Sequence, residues 1–228
     1  MMSDLAVDDP DQDEPLADGA RTLQFLLALR AQGVSDLQVL RAMERVSRVI
    51  FAPTRYADLS RTDVSIPLAC GQTMTPPSIV ASFLVSLGIE PGQRVLEVGT
   101  GSGYVTALMT AMGVHVVSLE RFHSLALAAY ERLNRLGMRA VELQHGDGLQ
   151  AARLLGRFDR VILNGVVDTI PENLLQRLVP GGRLVGALRV EGVPRKVVVN
   201  RVGDNAVDHQ LGPAIRLTPL TPGVATTL

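Results

Sequence analysis

A glycine-rich loop is the feature of this sequence with the clearest capacity for chemistry. The stretch VLEVGTGSGY, residues 95–104, sets Gly99, Gly101 and Gly103 between a short apolar run and a helical pattern. Glycines in this setting let the backbone approach a ligand closely. Glu97 stands two positions before the first glycine, where a negative charge disfavours a pyrophosphate and favours a cation. The sulfonium and amino groups of S-adenosylmethionine therefore suit this loop better than a dinucleotide does.

Further acids follow at the ends of the next two apolar runs. Glu120 closes HVVSLE, where a carboxylate can accept hydrogen bonds from both hydroxyls of a ribose. Asp147, beside Gly148 in HGDG, is placed to accept one from an adenine amino group. Each acid alone could instead cap a helix or face water. Their register with the glycine loop predicts an adenosylmethionine site, which also includes the loop residues Thr100 and Ser102.

Short strands and helices alternate in the part of the chain that must position these groups. The predicted strands are RVLEVG, HVVSLE, AVELQHG, DRVILNG and GRLVGAL, and the predicted helices lie near residues 76–87, 104–112, 124–136, 149–155 and 172–178. This alternation indicates an α/β fold, a Rossmann-like, doubly wound and mainly parallel sheet. The runs KVVVNRV and IRLTPL have no helix between them, so we expect antiparallel C-terminal strands at one edge.

The N-terminal part of the chain is less regular. Residues 1–18 are acidic and lack aromatic residues, which predicts a disordered tail. Two amphipathic helices, with Ser35 as the N-cap of the second, are predicted from apolar spacing: Leu23, Leu26, Leu27 and Arg30, then Val39, Leu40, Met43 and Val46. Residues 51–72 are predicted to be a long irregular connection.

A single domain is expected from residue 19 to residue 228. It would comprise N-terminal helices and a substrate and cofactor loop (19–75), a cofactor-binding core (76–190) and C-terminal antiparallel strands (191–228). The 228 residues, with 46% hydrophobic content, suffice for one such core.

Composition argues against several classes of function. The net charge of −1 gives no basis for a broad nucleic-acid or membrane footprint, and no apolar run is long enough to cross a bilayer. Cys70 is the single cysteine, which excludes an internal disulfide, and the four histidines do not cluster at metal-ligand spacing. We therefore expect no metal, and, without a secretory signal, a cytoplasmic location.

The stretch CGQTMTPPSIV, residues 70–80, allows two interpretations of Thr75. Thr-Pro-Pro is a good helix start, with Thr75 as N-cap, Pro76 at the first helical position and the amide of Ser78 as the capped donor. Alternatively, the Thr75 hydroxyl meets a substrate. Both hold if the hydroxyl accepts from the amide and donates to a ligand.

Several separated motifs resemble the protein-L-isoaspartate O-methyltransferase family. They are VLRAMERVSRVIFAP, IPLACGQTMTPP, VLEVGTGSGY, GDG, FDRVILNG, IPENLLQRLVPGGRLV and IRLTPL, together spanning about residues 39–223. GQTMTPP, ahead of the glycine loop, is the most specific of them.

The resemblance implies a Rossmann-like enzyme that uses S-adenosylmethionine to methylate the α-carboxylate of isoaspartyl residues in damaged proteins, beginning their repair. It implies that the loop with Thr73, Met74 and Thr75 closes over the cofactor, and that the Thr75 hydroxyl, usually a serine hydroxyl, meets the substrate carboxylate. It also implies that Thr221 lies near the cofactor. Isoaspartyl proteins or peptides would be the partners.

Some positions depart from the family pattern and keep other functions open. Arg61 and Thr62 precede Asp63, where an aromatic residue usually stands two positions ahead of an aspartate, and NGVVDTIP brings in Asn164 and Asp168. One alternative is therefore a related methyltransferase for another carboxylate or hydroxyl. Another is a non-catalytic adenosylmethionine-binding protein, against which the intact glycine loop argues.

Overall fold

The structure is a computed structural model that describes residues 10–150, 156–203 and 206–225, with side chains from residue 18 onward. Helices and short extended pieces form its N-terminal part. In chain order these are α1 (Pro10–Ala31), α2 (Leu37–Arg45), 3₁₀ helices at Arg48–Phe51 and Thr54–Leu59, β1 (Ile66–Pro67), a 3₁₀ turn at Ala69–Gly71, and β2 (Thr73–Met74). β1 and β2 pair antiparallel. The predicted irregular connection is therefore a series of short helices that leads into a hairpin.

Strands and helices alternate in the rest of the chain. They are α3 (Pro77–Leu87), β3 (Arg94–Val98), α4 (Tyr104–Ala111), β4 (His115–Glu120), α5 (His123–Arg135), β5 (Val141–His145), β6 (Phe158–Val167), α6 (Glu172–Leu175), β7 (Leu178–Val190), β8 (Val193–Arg201) and β9 (Val207–Ala214). Within the described ranges, seven strands form one sheet in the order β5-β4-β3-β6-β7-β8-β9. Pairing is parallel from β5 to β7 and antiparallel from β7 to β9. The prediction of a doubly wound, mainly parallel sheet with antiparallel C-terminal strands is confirmed.

Both faces of the sheet are covered. Alternation along β3 sends Val95 into a core shared with α2, α3 and α4, and sends Leu96 into a second core that includes Leu174 of α6. The strand order reverses at β3, whose neighbours are β4 and β6. In open α/β sheets a ligand crevice lies at such a switch point, at the carboxyl ends of the strands.

Three N-terminal predictions are wrong in detail. α1 begins at Pro10, inside the predicted tail, because a helix propagates cheaply from turns that are already packed; residues 1–9 lie outside the described residues. Asp36, not Ser35, is the N-cap of α2, since both types cap well and the pattern cannot choose between neighbours. The predicted apolar positions Leu23 and Leu27 of α1 are 59% and 56% exposed.

Other boundaries also differ. The last antiparallel strand is β9, upstream of IRLTPL, which instead runs beside β6 through a single parallel bridge between Val166 and Pro219. α6 ends at Leu175, because Leu178 already belongs to β7. Most of the helix predicted near residues 149–155 lies outside the described residues. The division into one domain with boundaries at residues 75 and 190 stays a prediction.

Two features are absent from the described ranges. No helix there combines the length and hydropathy that a membrane span requires. No group of three or more metal-ligating His, Cys, Asp or Glu side chains occurs in these ranges either.

Candidate active site

A cavity opens at the carboxyl ends of β3, β4 and β6, where the strand order reverses. It contains about 930 Å³ of space, a figure that includes its open mouth. The predicted site residues that line it are Thr73, Met74, Thr75, Gly99, Thr100, Gly101, Ser102, Glu120, Asp147, Gly148 and Thr221. Glu97 and Gly103 are absent from its wall.

The glycine loop joins β3 to α4 along one wall. Gly99, Gly101 and Gly103 all have positive φ angles, of 88°, 55° and 88°, which glycine adopts at no steric cost. Gly103 faces away from the cavity, because a Cβ there would lie 3.2 Å from the Cβ of Ala129 in α5. The absence of a side chain at Gly103 lets α4 pack against α5, and its assignment to the cofactor site stays a prediction. The hydroxyl of Thr100 is held 2.6 Å from that of Ser118 in β4.

Glu97 is fully buried behind the loop rather than in the cavity. Strand alternation turns it toward α4, so its carboxylate accepts hydrogen bonds from Thr106 (2.5 Å), Ser118 (2.7 Å) and the Nδ2 of Asn164 (2.7 Å). Burial raises the pKa of Glu97 to about 7, and these three hydrogen bonds oppose the rise. Glu97 therefore lies behind the cavity wall, and its assignment to the cofactor site stays a prediction.

Glu120 lies at the end of β4 in the cavity wall and is 4% exposed. One carboxylate oxygen accepts from the amide of Gly101 at 2.8 Å, and the other accepts from the amide of Phe122 at 3.0 Å. Because each carboxylate oxygen can accept more than one hydrogen bond, both remain available to a ligand. Glu120 thus fixes the glycine loop and offers acceptors to the cavity.

Asp147 connects the end of β5 to the C-terminal segment, which we define as residues 215–225. Its Oδ1 accepts from the amide of Leu149 at 2.9 Å, and its Oδ2 accepts from the amide of Gly223 at 2.6 Å. The neighbouring Gly148 leaves no room for a side chain, since a Cβ there would lie 2.7 Å from a methyl of Val98. The backbone at Gly148 therefore packs directly against β3 and β4.

Thr75 lies in the cavity wall between β2 and α3, and it is not the cap of the helix. Asp63 caps α3 instead: its Oδ1 accepts from the amide of Ser78 at 2.8 Å, and its Oδ2 accepts from the Ser78 hydroxyl at 2.7 Å. Pro76 occupies the N-cap position. The capping interpretation of Thr75 is therefore wrong, because an aspartate from a distant loop takes the amide. The Thr75 hydroxyl makes no hydrogen bond with any described residue.

The C-terminal segment forms part of the cavity wall and packs beside Gly99 of the glycine loop, where a Cβ would lie 3.3 Å from the Cδ2 of Leu220. Thr218 bonds to Thr73 of β2 through their hydroxyls, 3.0 Å apart, and Leu220 donates its amide to the carbonyl of Val166 at 2.8 Å. Thr221 follows in the cavity wall. The segment thus bridges the loop that contains Thr75 and the end of β6.

Of the positions that depart from the family pattern, some line the cavity and others lie outside it. Asn164 lines the cavity and donates its Nδ2 to the Glu97 carboxylate and, at 3.0 Å, to the Gly99 carbonyl. Arg61 forms an ion pair with Asp18, and Thr62 bonds to the carbonyl of Leu59; neither lines the cavity.

Asp168 and Cys70 also lie outside the cavity wall. Asp168 is paired with Arg189 at 2.8 Å in an exposed ion pair. Cys70 is half-buried, has a positive φ of 58°, and lies 3.4 Å from the Ser124 hydroxyl.

Sequence reasoning missed several wall residues. Tyr104, the last letter of the glycine motif, lines the cavity with a buried hydroxyl that has no hydrogen-bond partner in the described ranges. Burial raises the pKa of this phenol. Its place directly after Gly103 was a usable signal. Leu220 and Leu149 also line the cavity, and apolar residues in loops give no comparable signal.

Comparisons with known proteins agree with this geometry. Residues 20–225 match the family model described as protein-L-isoaspartate(D-aspartate) O-methyltransferase. A Bradyrhizobium sp. (strain ORS 278) protein-L-isoaspartate O-methyltransferase is 42% identical over 90% of this chain and 96% of its own length. One from Rhodopseudomonas palustris (strain BisA53) is 36% identical over 94% of this chain and 100% of its own.

A solved structure supports the fold independently. It comes from Plasmodium falciparum, is described as a protein-L-isoaspartate O-methyltransferase in complex with S-adenosyl-L-homocysteine, and superposes with a TM-score of 0.76 at 22% identity. The match covers 87% of this chain and 97% of that one. On the family model and the two bacterial relatives, the chain belongs to the protein-L-isoaspartate(D-aspartate) O-methyltransferase family.

Proposed function

We propose that the chain transfers a methyl group from S-adenosylmethionine to the free α-carboxylate of isoaspartyl residues in damaged proteins. One observation carries the proposal furthest. The cavity combines acceptors suited to an adenosine with the Thr75 hydroxyl, which has no hydrogen-bond partner among the described residues. A site for the donor and a hydrogen-bond donor for the acceptor therefore share one space.

The residues present fit S-adenosylmethionine. Glu120 offers acceptors for ribose hydroxyls, and Asp147 has acceptor capacity beyond its two backbone contacts. Asn164 directs its Nδ2 toward Glu97 and Gly99, which leaves its Oδ1 as an acceptor for a cationic group. When bound, the cofactor supplies a methyl group activated by its sulfonium.

The reaction needs positioning more than acid–base chemistry. A peptide carboxylate is already ionised at neutral pH, so no strong general base is required to make it a nucleophile. The Thr75 hydroxyl would donate to one carboxylate oxygen and orient the other, while the loop around it excludes water. Holding two reactants in the right geometry accounts for several orders of magnitude in rate in such reactions.

A different acceptor is the competing proposal, and the cavity gives it limited support. Of the departures from the family pattern, Arg61, Thr62 and Asp168 do not line the cavity. Asn164 and the extra methyl group of Thr75 do. Since Asn164 is engaged with Glu97 and Gly99, the acceptor side differs mainly by a stiffer hydroxyl side chain.

A paired peptide assay tests the proposal. The purified full chain is incubated with methyl-labelled S-adenosylmethionine and either an isoaspartyl peptide or the same peptide with a normal aspartate. We expect base-labile methyl esters on the isoaspartyl peptide alone. Transfer to neither peptide, with S-adenosylhomocysteine still bound in calorimetry, would refute the isoaspartyl acceptor and favour another acceptor or a non-catalytic binding protein.

A further inference from the structure

Arg48 is a buried arginine whose hydrogen bonds converge on the acceptor side of the cavity. Its Nη1 donates to the carbonyls of Ser60 (3.1 Å) and Thr62 (3.3 Å), and its Nη2 donates to those of Val64 (3.0 Å) and Thr75 (3.1 Å). One side chain therefore joins the loop at residues 60–64 to the residue that presents the free hydroxyl.

The burial of this cation requires a structural reason. Arg48 is 3% exposed; burial lowers its pKa to about 10, while Tyr104 and Asp63 raise it, so it stays charged at neutral pH. Four carbonyls satisfy the Nη1 and Nη2 donors of Arg48, while its buried Nε has no hydrogen-bond partner among the described residues. The planar guanidinium directs these donors in fixed directions. A lysine ammonium in its place cannot reach the same set of carbonyls with one fixed geometry.

Asp63 completes the arrangement from within the same loop. Its carboxylate receives both the amide and the hydroxyl of Ser78, in the first turn of α3. Thr75 and the two prolines after it are thus held at both ends: Arg48 fixes the Thr75 carbonyl, and Asp63 fixes Ser78. We call Arg48 and Asp63 the loop clamp.

The loop clamp is also tied to the cofactor side of the cavity. Arg48 begins the 3₁₀ helix Arg48–Phe51, and the fully buried ring of Phe51 packs against the ring of Tyr104 with centroids 5.6 Å apart. Tyr104 is the first residue of α4 and lines the cavity. The position of Thr75 is therefore set relative to the glycine loop through a short series of buried contacts.

We propose that Arg48 and Asp63 are positioning residues for the methyl acceptor, which hold the Thr75 hydroxyl at the place where an acceptor carboxylate must bind. The inference rests on the proposed function for the identity of the acceptor. Neither residue lines the cavity, so their effect on the reaction passes through Thr75.

Arg48→Lys is the test, with Arg160→Lys as its matched control. Arg160 bonds the carbonyls of Leu87 (2.8 Å) and Gly88 (3.1 Å), at the opposite end of α3, and it does not line the cavity. We expect Arg48→Lys to lower kcat/KM for the isoaspartyl peptide by about tenfold or more, as a small misplacement of a reacting group does. The Kd for S-adenosylhomocysteine should be unchanged in both variants, and Arg160→Lys should keep the native kcat/KM.

Two outcomes would overturn the proposal. One is an unchanged kcat/KM in Arg48→Lys. The other is an equal loss in Arg48→Lys and Arg160→Lys, since that would reduce the effect to general stability.

Asp63 variants keep the proposal testable if Arg48→Lys does not fold. Asp63→Ala should lower kcat/KM for the peptide without weakening the binding of S-adenosylhomocysteine. Asp63→Asn should keep kcat/KM near the native value, because the asparagine oxygen can still accept a hydrogen bond from Ser78. Equal kcat/KM in all three Asp63 forms would overturn the role of the clamp.

Amide hydrogen exchange separates this inference from the proposed function. If the native chain does not methylate the peptide, the proposed function fails, but the clamp still predicts faster exchange of the amides of residues 60–64, Thr75 and Ser78 in Arg48→Lys than in Arg160→Lys. Unchanged exchange in these segments would overturn the clamp itself.

Discussion

Thr75, just before α3, and Asp63, from the loop at residues 60–64, have separate tasks at the N-terminus of this helix. Asp63 occupies the free amide of Ser78, which leaves the Thr75 hydroxyl to a ligand. Thr75→Ala should therefore change the free energy of unfolding little, whereas Asp63→Ala should lower it by about 1 kcal/mol, as the loss of a helix cap does. Urea denaturation measures both. A larger loss in Thr75→Ala would show that its hydroxyl serves the helix after all.

Glu97 makes stability depend on pH. Because burial raises its pKa from 4.5 to about 7, the folded chain keeps a proton that the unfolded chain has released. The stabilisation from this proton is fully present below about pH 4.5 and is lost as the pH rises through about 7. The loss is on the order of 3 kcal/mol, at 1.36 kcal/mol for each unit of pKa shift.

Glu97→Gln keeps the shape of the side chain and removes its titration. The variant should gain stability relative to the native chain as the pH rises from about 4.5 to about 7, and urea denaturation at several pH values measures the difference. A constant difference over this range would argue that the native carboxylate is not held in a buried site.

Among the elements, the C-terminal segment depends on the absence of a side chain in β6. A Cβ at Gly165 would lie 2.6 Å from the carbonyl oxygen of Thr218 and 2.8 Å from the Cγ of Leu220. Gly165→Ala should push this segment outward and weaken the binding of S-adenosylhomocysteine by about tenfold, because overpacking of this kind costs 1 kcal/mol or more. Isothermal titration calorimetry measures the affinity.

Gly146→Ala is the control for this substitution. Gly146 lies near the same cavity, but a Cβ there would meet only a methyl of Leu119, at an ordinary contact distance of 3.5 Å. The affinity of Gly146→Ala for S-adenosylhomocysteine should equal that of the native chain. Equal affinities for Gly165→Ala and the native chain would mean that the C-terminal segment does not contribute to the cofactor site.

The elements also show what local pattern can predict. The parallel core followed from strands and helices that alternate along the chain, since each carries its own periodicity. The same periodicity could not predict the N-cap of α2, the buried face of α1 or the end of α6, because adjacent residues satisfied the same rule equally well. β9 was missed because its residues are exposed on both faces and lack the alternation that marks a half-buried strand.

At the scale of the whole molecule, parallel topology brings the site together. The carboxyl ends of neighbouring parallel strands meet at one edge, so Glu120 and Asp147 could be assigned to the cavity from sequence. Glu97 could not be placed correctly by proximity to the loop, because strand alternation turns it to the α4 side. The Asp63 cap was equally hidden, since it joins residues 15 positions apart through an irregular loop.

The most direct test of the central claim compares the native chain with Thr75→Ser and Thr75→Ala. The quantity to measure is the ratio of kcat/KM for an isoaspartyl peptide to that for its aspartyl isomer, beside the Kd for S-adenosylhomocysteine. The native chain and Thr75→Ser should strongly prefer the isoaspartyl peptide, and Thr75→Ala should lose most of that transfer while its Kd stays unchanged. A native ratio near one, or full transfer by Thr75→Ala, would contradict the account.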